Sequence, residues 1–161
     1  MIISKTPYRI SFFGGGSDYP IWYNKYSGAV LSTSINKHLY ITCRILPKFF
    51  DHNFRIVWSK IEMVKNIQDI EHPTVKDLLN FLKIKQGLEI HYDGDLPARS
   101  GMGSSSAFTV GLLKALYFLI KGNISNNNIA RKAIFFEQNI MKETVGSQDQ
   151  LATAMGGFNK I

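Results

Sequence analysis

The sequence predicts an α+β fold. Apolar residues alternate with period two through the early segments, two helical patterns come late, and the elements arrive in blocks instead of strict βαβ alternation. With 161 residues, 45% hydrophobic and 19% charged, the chain reads as one globular domain over 1–161.

The elements follow in order. RISFF (9–13), GAVLSTSI (28–35) and LYITCRIL (39–46) read as three opening strands, the last with Leu39, Ile41, Cys43 and Ile45 on one face. NFRIVWSK (53–60) reads as another strand. HPTVKDLLNFLKIKQG (72–87) is a helix in which Thr74 and Asp77 have capping-box spacing and Gly87 supplies the stop. LEIHY (88–92) is a strand with Leu88, Ile90 and Tyr92 on one face, and it runs into a Gly/Ser loop. SSSAFTVGLLKALYFLIKG (104–122) is apolar on most sides and predicts a largely buried helix from near Ser105 to Gly122. Asn126, Asn127 and Asn128 can cap a further helix, roughly 129–143. The tail GSQDQLATAMGGFNKI holds a glycine-punctuated loop, a short helix and the start of a strand.

The formal charge of +7 and pI near 9.5 suit anionic partners, but the lysines are scattered and the chain is rich in Lys, Asn and Ile throughout. Basic patches interleaved with aromatics are lacking, which argues against nucleic acid. Cys43 is the single cysteine, so an intramolecular disulfide and a cysteine-based zinc site are excluded. No segment has signal-peptide character or membrane-spanning length, and the expected location is the cytoplasm without membrane attachment.

Chemistry concentrates in GDLPARSGMGSSSA (94–107). A strand, a glycine-rich loop and a helix start form an anion site, because backbone N–H groups and the positive end of the helix dipole converge there. Gly103 is followed by serine where a Walker A loop needs lysine, and a dinucleotide fingerprint would need a glycine at Ser106. The loop also approximates a serine-hydrolase elbow, yet all four histidines (His38, His52, His72, His91) precede it. The plain alternative is an ordinary helix cap.

Two acidic residues follow. Glu137 has Ala133, Ile134, Ile140 and Met141 at helical spacing, so it either meets a cation or donor on an apolar face or turns to solvent. Asp149, in GSQDQ, is either a turn residue or a proton acceptor for a hydroxyl nucleophile. Near the N-terminus, TPYRISFFGGGSDYP places Arg9 in a strand, where its charge needs a partner. The same stretch ends in glycines before Ser17 and Asp18, either a tight turn or a contact for a hydroxyl-rich ligand.

Taken together, PYRISFFGGGSDYP, LPARSGMGSSSAF and the later E…GSQDQ…GGF resemble the GHMP kinases over the whole chain. GGGSDYP and QDQLATAMGGFN are similar to the sugar-kinase branch that contains heptose 7-phosphate kinases and fucokinases. The resemblance implies a ribosomal protein S5 domain 2-like N-terminal domain binding ATP and sugar, followed by a C-terminal domain that is missing from this chain. An N-terminal fragment with apolar surface left exposed is the expectation. It also implies roles. Pro97, Arg99, Ser100, Gly101, Met102, Gly103, Ser104, Ser105 and Ser106 would wrap the ATP phosphates, with Ser105 and Glu137 holding Mg2+. Asp149 would be the base on the sugar hydroxyl and Arg9 would lie beside it, while Gly15, Gly16, Ser17 and Asp18 would meet the sugar.

The expected activity is ATP-dependent phosphorylation of the anomeric hydroxyl of a heptose 7-phosphate, for nucleotide-activated heptose and surface polysaccharide. Fucose or another sugar is the alternative substrate. The alternative function is a fragment that binds nucleotide or a separately encoded partner chain carrying the C-terminal domain. Lys37, Arg131 and Lys132, like Arg99, are either phosphate contacts or ordinary surface charges.

Overall fold

Alternation through the first residues buries Ser4, Thr6 and Tyr8 on one side and forms β1 (Ile2–Phe13). In the computed structural model, which describes residues 1–98 and 100–161, β1 pairs antiparallel with β2 (Leu31–Ile45). The two strands expected over 28–35 and 39–46 are therefore one. The polar residues Asn36 and Lys37 that interrupt the apolar pattern sit where the register with β1 shifts between Pro7 and Arg9, an irregularity that absorbs extra residues without ending the strand.

Further strands are β3 (Phe54–Val57), β4 (Ile61–Val64), β5 (Leu88–Gly94) and β6 (Phe158–Lys160). The sheet order is β1-β2-β5-β3-β4, with β6 pairing the start of β2, and among the described residues only the β3–β5 pair is parallel. The β3–β4 hairpin was not foreseen. Its second strand, IEMV, is short and carries Glu62, which is buried because it accepts hydrogen bonds from Trp58 Nε1 (2.8 Å) and the backbone N–H groups of Glu71 (2.6 Å) and His72 (3.2 Å).

The helices are α1 (Pro20–Tyr23), α2 (Pro73–Phe81), α3 (Ser104–Ile120), α4 (Asn126–Phe135) and α5 (Gln148–Met155). Three sequence-based termini are corrected. The N-cap of α2 is His72, whose Nδ1 accepts from Val75 N at 3.5 Å ahead of Pro73, so Thr74 and Asp77 do not form the cap. The helix ends at Phe81, with Lys83 in the left-handed region (φ 55°), well before Gly87. Ser125 rather than an asparagine caps α4, accepting from Asn128 N.

Helix α3 packs across β1 and β2. The approach is close because Gly111 has no side chain: a Cβ there would stand 2.9 Å from Thr6 Oγ1, and Ser4 Oγ donates to the Gly111 carbonyl at 2.8 Å. Leu39, Ile41 and Cys43 of β2 and Leu112, Leu113 and Leu116 of α3 are wholly buried in the core, each leucine contributing about 1.5–3 kcal/mol. Ile45, expected on the same face, lies 53% exposed at the strand's end. Among the described residues no helix is long and apolar enough to cross a membrane.

Candidate active site

The site forms at the end of the sheet where β5 runs out. From Gly94 the chain passes through the glycine loop into α3, and Gly101 and Gly103 both take left-handed backbone (φ 74° and 72°), which glycine adopts without steric cost. Gly103 is the residue ahead of the first turn of α3. A Cβ on it would stand 3.2 Å from Arg9 Cγ and 3.4 Å from Asp149 Oδ2, so the missing side chain also lets these two groups approach the loop.

Arg9 satisfies its charge on three sides. Nε and Nη2 donate to the two carboxylate oxygens of Asp149 at 2.7 and 2.8 Å, and Nη1 donates to the Gly101 carbonyl at 2.9 Å. Its backbone N–H donates to the Met102 carbonyl at 3.1 Å. One arginine thus joins β1, the loop and the start of α5. A bidentate pair fixes the plane of the carboxylate as well as its position.

Glu137 lies in a π-helical turn, Phe136–Ile140, that continues α4 and is closed by Met141 N to the Phe136 carbonyl at 2.9 Å. It is 1% exposed, which decides between the two sequence readings in favour of the apolar face. Its Oε2 accepts from Ser106 Oγ at 2.9 Å and from Gln150 Nε2, while Oε1 is buried with no partner among the described residues. Burial holds the carboxyl above the ordinary glutamate range. The nearby Thr109 hydroxyl and the hydrogen bonds from Gln150 and Ser106 oppose that shift, and the like charge of Glu143 adds to it.

Asp18 is also buried. Oδ1 accepts from Gly16 N at 3.0 Å and Oδ2 from Gln148 N at 3.1 Å, so the carboxylate ties the N-terminal glycine turn to the start of α5. Gly146 leaves it room, since a Cβ there would fall 1.8 Å from Asp18 Oδ2. Ser17 Oγ donates to the Gly14 carbonyl at 2.7 Å, and a Cβ on Gly15 would stand 3.7 Å from Gln148 Nε2.

Arg9, Asp18, Ser105, Glu137, Asp149 and Gln150 line one cavity of about 180 Å3. Of the loop residues, Ser106 is buried on Glu137, Ser105 is exposed and faces the same cavity, and Ser100 Oγ is buried without a partner among the described residues. Arg99 lies outside the described residues. Gly15 and Gly16 are exposed and do not line the cavity. Sequence reasoning missed Gly146, Gln148 and Gln150; the signal was the run GSQDQ itself, with polar side chains on both sides of Asp149.

Residues 63–157 match the family described as the GHMP kinases N terminal domain. The chain belongs to the GHMP kinases. It is 31% identical to a D-glycero-alpha-D-manno-heptose 7-phosphate kinase of Campylobacter jejuni over 98% of this chain and 49% of that protein. It is 29% identical to a bifunctional fucokinase/GDP-fucose pyrophosphorylase of Arabidopsis thaliana over 96% of this chain and 16% of that protein. The crystal structure of a D-glycero-D-manno-heptose 1-phosphate kinase from Bacteroides thetaiotaomicron superposes with a TM-score of 0.85 at 25% identity, covering 99% of this chain and 55% of that one. This GHMP kinase chain thus spans about half the length of the heptose kinases it matches, and its α+β architecture is that of the family's N-terminal domain.

Proposed function

We propose that this chain supplies the phosphate loop and the catalytic carboxylate of an ATP-dependent sugar kinase, with a heptose 7-phosphate as the sugar. The observation that carries this reading is the Arg9–Asp149 pair set against Gly101 and Gly103 at the start of α3, on the same cavity as Glu137. The likeness to two heptose phosphate kinases supports the sugar class, with fucose the alternative through the plant relative. The product would be a heptose 1,7-bisphosphate, a precursor for nucleotide-activated heptose and surface polysaccharide.

The residues divide the work. The first turn of α3 presents backbone N–H groups and the positive dipole end to phosphate oxygens. Asp149, held in plane by Arg9, offers its remaining lone pairs to the anomeric hydroxyl and accepts its proton as the sugar oxygen bonds to the γ-phosphorus and ADP leaves. Arg9 thereby positions the carboxylate and places positive charge beside the loop. Magnesium fits this site: Glu137 Oε1 is an orphaned buried oxygen, Ser105 shares its cavity, and Mg2+ ordinarily combines one or two carboxylates with substrate phosphates. Bound there, it would neutralise charge on the transferring group.

The remainder of the site is proposed to come from a C-terminal domain, on the same or a separate polypeptide. The sides of the catalytic end carry exposed apolar residues for it to cover, among them Phe13 (74% exposed), Ile21 (79%) and Phe158 (68%). The test is ADP release with ATP, Mg2+ and a sugar panel, with and without the polypeptide encoded immediately downstream. Turnover is expected with heptose 7-phosphate in the mixture. Asp149→Asn should abolish transfer and retain nucleotide binding; persistence of transfer would remove Asp149 as the base. Nucleotide binding with no turnover in any combination would favour a non-catalytic binding chain.

A further inference from the structure

A second cavity, of about 1000 Å3, lies at the opposite end of the sheet. It is built where β2 ends, β3 begins, β4 ends and β5 begins, and the seven residues of β5 separate it from the glycine loop by about 20 Å at 3.3 Å per residue. Phe54, Ile67 and Ile84 contribute apolar wall. Lys48, Lys65 and Lys85 reach it from three separate segments, and among the described residues no aspartate or glutamate lines it.

These segments are stapled together by one residue. Asn53 donates its N–H to the Val64 carbonyl (3.0 Å) and its Nδ2 to the Lys65 carbonyl (2.8 Å), and its own carbonyl accepts from Leu88 N at 2.9 Å. Gly87 packs against it so closely that a Cβ would stand 2.6 Å from the Asn53 oxygen. Leu46 N donates to the Gly87 carbonyl at 2.9 Å. The backbone at Lys65 is therefore fixed, and the chain is tied at Leu46 and Gly87, two residues from Lys48 and Lys85.

The charge has no internal answer. Among the described residues none of the three lysines has an ion-pair partner, whereas Lys60 is paired with Glu71. Asp69, next in sequence to the lining residue Gln68, is engaged by Asn66 Nδ2 at 2.9 Å and does not line the cavity. His52 lines it, and its buried Nε2 has no hydrogen-bond partner among the described residues, whereas buried polar atoms are ordinarily paired. Like charges around a concave, partly apolar wall concentrate anions, and the volume is that of a site for a molecule of nucleotide size.

We propose that this cavity is a second anion site, taking a small polyanion with an apolar or aromatic portion, of the nucleoside diphosphate class, and separate from the phosphate loop. Phosphates would meet Lys48, Lys65 and Lys85, with the ring against Ile45 and Ile67.

The test is ADP titration of the chain with methyl-labelled Ile and Met, read by NMR at Ile67 and Ile84 for this cavity and at Met102 for the loop. Saturable shifts at Ile67 and Ile84 are expected, with a Kd at least tenfold weaker in Lys65→Glu/Lys85→Glu and an unchanged Met102 isotherm. Lys65→Gln/Lys85→Gln, a milder change, should weaken the same isotherm if the charge reversal fails to fold. Pyrophosphate, which lacks the ring, should bind the cavity more weakly than ADP. The proposal is overturned if Met102 alone responds, if the Ile67 and Ile84 shifts track Met102 and survive the lysine changes, or if the remote control Lys25→Glu weakens binding equally.

Discussion

Replacing Gly146 by alanine tests the Asp18 latch. A glycine-to-alanine change at a permitted backbone ordinarily stabilises by about 0.4–1 kcal/mol through the unfolded chain, and Gly146 is not in the left-handed region. The structure predicts the opposite sign. The new Cβ would lie 1.8 Å from Asp18 Oδ2 and 2.5 Å from Cγ, so the carboxylate must retreat by more than an ångström, about the gap to ordinary contact distance. Its bonds from Gly16 N (3.0 Å) and Gln148 N (3.1 Å) cannot survive that movement. Each is a hydrogen bond to a charged group worth about 1.5–3 kcal/mol, and allowing water in the adjoining cavity to restore part of it leaves a loss of ~2–4 kcal/mol. For a domain of this length that is a fall in Tm of roughly 5–15 °C. Thermal unfolding followed by circular dichroism measures it. The companion measurement is the cycle with Asp18→Ala, in which the obstacle is gone, and the two changes should couple by at least about 1 kcal/mol. A Gly146→Ala chain melting within about 2 °C of the parent, less than half the shift of the smallest loss considered, would refute the latch.

Other outcomes follow from burial. Because burial raises the Glu137 carboxyl, its contribution to stability is present at pH below the ordinary glutamate range and is lost as pH rises through its folded value; Glu137→Gln should therefore gain on the parent in urea unfolding as pH rises from about 4 to 7, and a pH-independent gap would contradict it. Burial lowers His72, which stacks on Phe108 at 4.9 Å, so the folded chain disfavours the protonated ring and stability is lost as pH falls below about 6.5. Asn at position 72 should keep the cap and flatten that slope by up to ~1.4 kcal/mol per pH unit, visible in the same titration. Cys43, wholly buried with its thiol pushed up to about 12, should react with a thiol reagent at pH 8 at least a thousandfold more slowly (on the order of its thiolate deficit) in native buffer than in denaturant; rapid stoichiometric labelling of the native chain would refute its burial.

Much of this was legible because the signals were local. The start of α3, the burial of that helix and the apolar surroundings of Glu137 all follow from residues within two turns of one another. What could not be read needed distant partners. Arg9 in a strand announces only that it needs a carboxylate, and Asp149 stands 140 residues away. The long β2 was hidden because Asn36 and Lys37 imitate a turn while occupying an irregularity against β1. At Phe136–Ile140 the π-helical turn departs from a period of 3.6, so helical spacing could suggest the face of Glu137 but not that Gln150 and Ser106 would meet on it.

The distribution of unmet polar demand bears on where ligands belong. A folded chain pairs its buried polar atoms, and exceptions require a reason. Among the described residues, the unpartnered buried side-chain atoms include Ser100 Oγ in the glycine loop and Glu137 Oε1, Gln148 Oε1 and Gln150 Oε1 on the cavity beside it. Arg9, Asp149 and Asp18, by contrast, are doubly or triply satisfied on the same cavity. The satisfied groups hold the frame, and the unsatisfied oxygens stand where a cation or hydroxyl would complete them. Among the described residues, four of the seven such atoms gather at one end of the sheet and His52 Nε2 stands in the lysine-lined cavity at the other. Thr6 Oγ1 beneath α3 and Ser32 Oγ in β2 lie within the sheet itself. The concentration at the two ends follows if each is built to receive a ligand that supplies the missing partner.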